Sequence, residues 1–190
     1  MMKKVNYSEY EGKYDESIKE RLEKDPGSVD VEMMRENLYG YTFTKAYADG
    51  EIPDEFSMDY WEEHQLEIDL DDHEEIDFES MESELDLILE EDEDDSPYFD
   101  VSPQEKLILE TIDSTGDGKT PETALCVIDV HQEHEYIQRV VRLSVLQLIK
   151  QSVANGIDCL ELRDYDGRIE KVYFDISRRF EVGYPILAEK

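Results

Sequence analysis

Tyr14, Ile18 and Leu22 recur at four-residue steps, the spacing that stacks side chains on one face of an α-helix, and Asp25-Pro26-Gly27-Ser28 breaks that rhythm. Ser28 or Asp30 then suits the cap of a second helix carrying Val31, Met34, Leu38 and Tyr41. The run Leu38-Tyr39-Gly40-Tyr41-Thr42-Phe43 is rich in rings. Packing between helices is their expected use, because aromatic side chains supply the most area each, and a ligand-stacking surface is the alternative. Met81, Leu85, Ile88 and Leu89 form another helical stripe, ended by acids from Glu90 to Asp95 and by Ser96-Pro97. Leu66, Ile68 and Leu70 alternate with acids, as do Ile76 and Phe78, so extended structure competes with helix there.

Beyond residue 101 the pattern changes. Ser102-Pro103-Gln104-Glu105 predicts a capped helix start, with Leu107, Ile108 and Ile112 inside the helix and its end near Ser114. The apolar run from Leu125 to Val130 predicts a short buried strand. From Glu133 to Val153 the recurrence of Tyr136, Ile137, Val140, Val141, Leu143, Val145, Leu146, Leu148, Ile149 and Val153 predicts one long, largely covered helix, stopped by Asn155-Gly156 as a left-handed cap. Cys159–Leu162 and Val172–Ile176 alternate as strands around a turn at Asp164-Tyr165-Asp166-Gly167. The expected fold is α+β: a helical N-terminal half packed on a small unit of strand, long helix and β-hairpin. The expected division is a strongly acidic helical region over 1–100, with an acidic linker near 90–96, and an α+β domain over 101–190.

Charge changes this picture more than size does. Hydrophobic residues make up 39% of the 190, enough for a modest core in one domain or a compact domain with a helical attachment. Nineteen Lys and Arg face 51 Asp and Glu, a formal net charge of -32. That charge repels phosphates and anionic lipid, so direct binding to nucleic acid or membrane surfaces is not expected. Between Lys45 and Lys106 there is no Lys or Arg, and residues 51–100 hold 24 of the acids. Lys3 and Lys4 are followed by polar residues and Glu9 rather than an apolar stretch, and no apolar run approaches the roughly 20 residues a membrane span needs. A cytoplasmic address is expected, with Cys126 and Cys159 as buried free thiols.

Several motifs invite chemistry and lack its parts. Gly118-Lys119-Thr120 resembles the end of a phosphate-binding loop, but Asp113 stands where the first glycine is required and Pro121 follows at once. Asp113, Thr115, Asp117 and Gly118 fit the first positions of a calcium loop, yet Ala124 occupies the position of the bidentate Glu. A structured Asp/Gly turn is the expectation, with weak cation binding as an alternative. His131 and His134 lie three apart, where zinc would need two further ligands; His64 and His73 stand alone among acids. No nucleophile elbow, Cys–His signature or dinucleotide loop is present, and close acid pairs are inevitable among 51 carboxylates. The expectation is therefore no catalysis, no cofactor and no metal.

Gly116-Asp117-Gly118-Lys119-Thr120-Pro121-Glu122-Thr123-Ala124, followed by Val127-Ile128-Asp129-Val130 and Glu135-Tyr136, resembles the core signature of an uncharacterised bacterial domain family. The aromatic segment from Leu38 to Phe43 and the stretch Gly167–Ile176 resemble it too, and together the matching segments cover about half the chain. The resemblance implies a helical, tetratricopeptide-like N-terminal part joined to a small C-terminal α/β domain. It implies no activity and no functional residues. Two features depart from it: the first residues do not read as the export signal usual there, so none is expected, and the middle region is short and almost wholly acidic.

The function expected from the residues is non-enzymatic binding to a basic partner protein. Its carboxylates would be Glu62, Glu63, Glu67, Asp69, Asp71, Asp72, Glu74, Glu75, Glu90, Glu91, Asp92, Glu93, Asp94 and Asp95. The sharpest version is a bacterial immunity protein neutralising a cationic toxin, since a carboxylate array can occupy sites meant for phosphates. A helical scaffold whose acid serves only solubility is the alternative.

Overall fold

A computed structural model of the chain describes residues 5–63, 101–143 and 147–182. The stripe at Met81–Leu89, the alternations over 66–78 and the linker near 90–96 lie outside these residues.

The first helices form where the apolar spacing placed them. Helix α1 (Ile18–Lys24) buries Ile18 and Leu22, and a single 3-10 turn at Pro26–Ser28 separates it from α2 (Val31–Tyr41). Asp30 is the α2 cap, its carboxylate accepting from the Met33 N–H at 2.8 Å. A short α3 (Lys45–Ala48), a 3-10 turn at Asp54–Phe56 and a helical segment over 58–63 follow. Tyr39, Tyr41, Tyr47 and Phe56 are buried, and edge-to-face pairs such as Tyr10–Tyr39 and Tyr41–Phe56 fill the space between these elements. The rings are packing residues.

Helix α4 (Pro103–Asp113) has the complete capping box: Ser102 Oγ accepts from the Glu105 N–H, and Glu105 Oε2 accepts from the Ser102 N–H at 2.7 Å. Strand β1 (Leu125–Cys126) is only two residues long. Helix α5 (Val130–Tyr136) runs on as a π-helical turn over Ile137–Val141 and stops where Arg142 turns left-handed, at φ 57°. Then come β2 (Leu148–Ala154), β3 (Ile157–Arg163), β4 (Ile169–Asp175) and α6 (Ser177–Glu181).

The expected helix from Glu133 to Val153 is therefore corrected. Its second half is the strand β2, and Asn155-Gly156 is the turn of a β2–β3 hairpin rather than a helix cap. Both turn residues have positive φ, 53° and 77°, as the turn that matches strand twist demands. Gly156 is needed twice over, because a Cβ there would stand 2.7 Å from Ser177 Cβ. Side chains such as Ile149 and Val153, which read as one helical face, are 44% and 49% exposed on an edge strand.

The sheet has the order β1-β4-β3-β2, with β1 parallel to β4 and the other pairs antiparallel. One hydrophobic cluster links Leu22, Leu38 and Tyr47 from the N-terminal half with Ile108, Leu160 and Phe174. Hydrogen bonds cross the same boundary: Tyr39 OH donates to the Cys126 carbonyl at 3.0 Å and Tyr47 OH to the Ile128 carbonyl at 2.6 Å. The fold is α+β, its helical N-terminal half packed on the C-terminal sheet. Cys126 and Cys159 are buried and are not joined in a disulfide. Among the described residues no helix is long and apolar enough to cross a membrane.

The Gly-Asp-Gly segment is a knot of hydrogen bonds. The Asp117 and Gly118 N–H groups both donate to the Thr123 carbonyl, at 3.1 and 2.8 Å, and the Gly118 carbonyl accepts from the Tyr173 N–H of β4. A Cβ on Gly116 would lie 2.2 Å from the Thr123 carbonyl oxygen, a backbone atom that cannot move aside cheaply. Gly116→Ala is expected to lower stability by about 1–3 kcal/mol. The urea midpoint measures this, and an unchanged midpoint would mean that the turn yields.

Candidate functional site

The N-terminus of α5 is set by Asp129, whose carboxylate accepts from the Gln132 N–H at 3.1 Å. That start places His131 and Glu135 four residues apart on one face of the helix. Charge gathers around α5 in three groups.

The first group centres on Arg139. Its Nε donates to Glu105 Oε1 at 2.7 Å, and its Nη2 donates to Glu62 Oε2 at 2.7 Å and to Asp59 Oδ1 at 3.2 Å. A guanidinium can serve three carboxylates because its donors fan out in one plane. Burial works against the charged form of Arg139, but its hydrogen bond to Glu105 and the charges of the neighbouring acids outweigh it and raise its pKa. Glu62 and Glu105 flank the acid-rich stretch, so one side chain holds both of its margins.

The second group is Asp59, His131 and Glu135. His131 Nε2 lies 3.3 Å from Asp59 Oδ2 and 3.7 Å from Glu135 Oε1. Glu135 Oε1 also accepts from Ser57 Oγ at 3.3 Å and from the Asp59 N–H at 3.0 Å. Burial lifts the Glu135 pKa above the usual carboxylate range. Among the described residues this is the one set of three such side chains whose donor atoms lie within 4.8 Å of one another.

The third group faces β3. Glu133 is fully buried, and neither of its oxygens has a hydrogen-bond partner; Asp158 Oδ1 is in the same position. Burial first, then the charges of Asp158 and Asp129, push the Glu133 pKa up to about 9. A pKa there keeps Glu133 protonated at neutral pH.

Of the residues expected to bind a partner, Glu62 and Glu63 are described. Glu62 is engaged by Arg139, and Glu63 is exposed. Glu67, Asp69, Asp71, Asp72, Glu74, Glu75, Glu90, Glu91, Asp92, Glu93, Asp94 and Asp95 lie outside the described residues. The calcium-loop acids have separate duties. Asp113 accepts from Tyr136 OH at 2.6 Å, whereas Asp117 Oδ1 accepts from Thr123 Oγ at 2.5 Å and from the Lys119 N–H. His134 is not part of the Asp59 group.

Arg139, Asp59, Glu133, Glu135 and Asp158 escaped the sequence reading. A cue existed for two of them. Glu133 stands three and four positions before Tyr136 and Ile137, inside the apolar stripe, and Arg139 is the first Lys or Arg after Lys119.

A family model described as a domain of unknown function, DUF4919, matches residues 3–183. No curated protein and no solved structure matches the chain.

Proposed function

The chain belongs to the DUF4919 family, and within it we propose a non-enzymatic role: binding a basic partner protein through the acidic residues that follow the 58–63 helical segment. The observation that carries this reading is the Arg139 clamp on Glu62 and Glu105. Between those two anchors, residues 64–100 contain 18 Asp and Glu and no Lys or Arg. Glu62 and Glu105, which bound that run of acids in the sequence, are thus held by one side chain. Opposed charge steers association, with on-rates rising toward about 10⁸–10⁹ M⁻¹s⁻¹ at low salt. A cationic toxin held by an immunity protein is the sharpest form of such a partnership. Glu62 itself contributes to the anchor, not to the docking face.

The test is affinity capture from a native cell extract with a salt gradient. The wild-type chain is compared with one carrying Asn or Gln at Glu90, Glu91, Asp92, Glu93, Asp94 and Asp95. One stoichiometric basic protein, released sharply by salt and lost by the neutralised chain, supports the reading. A mixed set of basic proteins that elute together, captured by both chains, would give the lead to a scaffold whose acid serves only solubility.

A further inference from the structure

We propose that Asp59, His131 and Glu135 form a binding site for a divalent metal of the zinc type, mounted between the 58–63 helical segment and α5. The proposal is independent of the partner-binding role.

Donor spacing is the first argument. Zinc holds nitrogen and carboxylate donors at about 2.0–2.2 Å in a tetrahedron, which puts neighbouring donors about 3.4 Å apart. His131 Nε2 lies 3.3 Å from Asp59 Oδ2 and 3.7 Å from Glu135 Oε1. One ligand atom of each of the three residues lies within 4.8 Å of the other two, close enough for one ion to draw them together.

Orientation is the second. Asp59 is held through its other oxygen, Oδ1, by Arg139, which leaves Oδ2 turned to the imidazole. Ser57 Oγ and the Asp59 N–H fix Glu135 through Oε1. Outer contacts of this kind are what hold metal ligands in place.

The third argument is an unmet need. Glu135 is only 1% exposed, and its Oε2 is buried without a hydrogen-bond partner. A buried carboxylate oxygen with no donor is unfavourable unless a cation balances it. A divalent ion beside Glu135 supplies that balance. The imidazole selects zinc over calcium or magnesium, which prefer oxygen alone. Asp59 and His131 side chains are 47% and 58% exposed, so water can take the fourth position.

The test titrates the metal-stripped full chain with zinc by calorimetry, in excess calcium to occupy the other carboxylates. One tight equivalent is expected. His131→Ala and Asp59→Asn should each weaken it by at least about tenfold, while Glu63→Gln leaves it unchanged. Zinc should also raise the unfolding temperature of the wild type and not of His131→Ala. No zinc uptake over the calcium background, or equal affinity in all four chains, overturns the proposal. If a variant is already unstable without metal, the His131 ring-nitrogen resonances of the wild type decide: zinc must shift them, and unmoved resonances overturn the site.

Discussion

Glu133→Gln is expected to stabilise the chain at pH 8 by on the order of 5 kcal/mol, with the gain vanishing near pH 4. The cause is linkage. An unfolded Glu titrates near 4.3, whereas burial and the charges of Asp158 and Asp129 hold folded Glu133 up to about 9. Between those values the folded chain keeps a proton that the unfolded chain releases. Wild-type stability therefore falls as pH rises through that window, by up to about 1.4 kcal/mol per unit, and levels off above it. Glutamine has the shape of the protonated acid, cannot ionise, and can donate its amide to Asp158 Oδ1, which has no partner. Thermal midpoints of both chains from pH 4 to 9 check this. Because the net charge acts on both alike, the difference curve isolates the one site. Curves that run parallel would mean that Glu133 ionises freely.

Arg139→Leu is the second large effect, an expected loss of about 3–5 kcal/mol. Leucine keeps much of the apolar stem and removes only the fork. Glu105 is then left buried, its Oε2 still on the Ser102 N–H and its Oε1 without a donor. Asp59 and Glu62, which are more exposed, lose less. Adding Glu105→Gln to Arg139→Leu should recover part of the loss, since an uncharged amide is easier to bury. Arg139→Lys should fall between, because a point charge cannot reach three carboxylates at once. Urea midpoints of these chains and of Glu105→Gln alone give the coupling directly. A loss below about 1 kcal/mol for Arg139→Leu would place the clamp among ordinary surface ion pairs.

Much of the local structure was legible because its causes are local. The Ser102–Glu105 capping box, the Asp30 cap and the turn at Asp164–Gly167 each depend on groups within a few residues of one another. The long helix failed for a physical reason as well. Apolar residues over 137–153 satisfy both periods, and Asn155-Gly156 suits a helix end or a hairpin turn equally. Pairing with β3 resolved the choice, and that contact is set by the sheet.

The candidate site was less legible. The stretch without Lys or Arg between Lys45 and Lys106 is visible in the chain alone, and so are the net charge of -32 and the α+β character. These depend on composition and short-range spacing, which folding does not alter. What Arg139 holds is another matter: its partners lie 34, 77 and 80 residues away. The same holds for Asp59 beside His131 and for Glu133 beside Asp158, each joined across elements that only packing brings together. Charge and local rhythm are properties of the sequence, whereas the burial that turns a carboxylate into a clamp partner, a metal ligand or a neutral acid exists only after the tertiary fold excludes water from it.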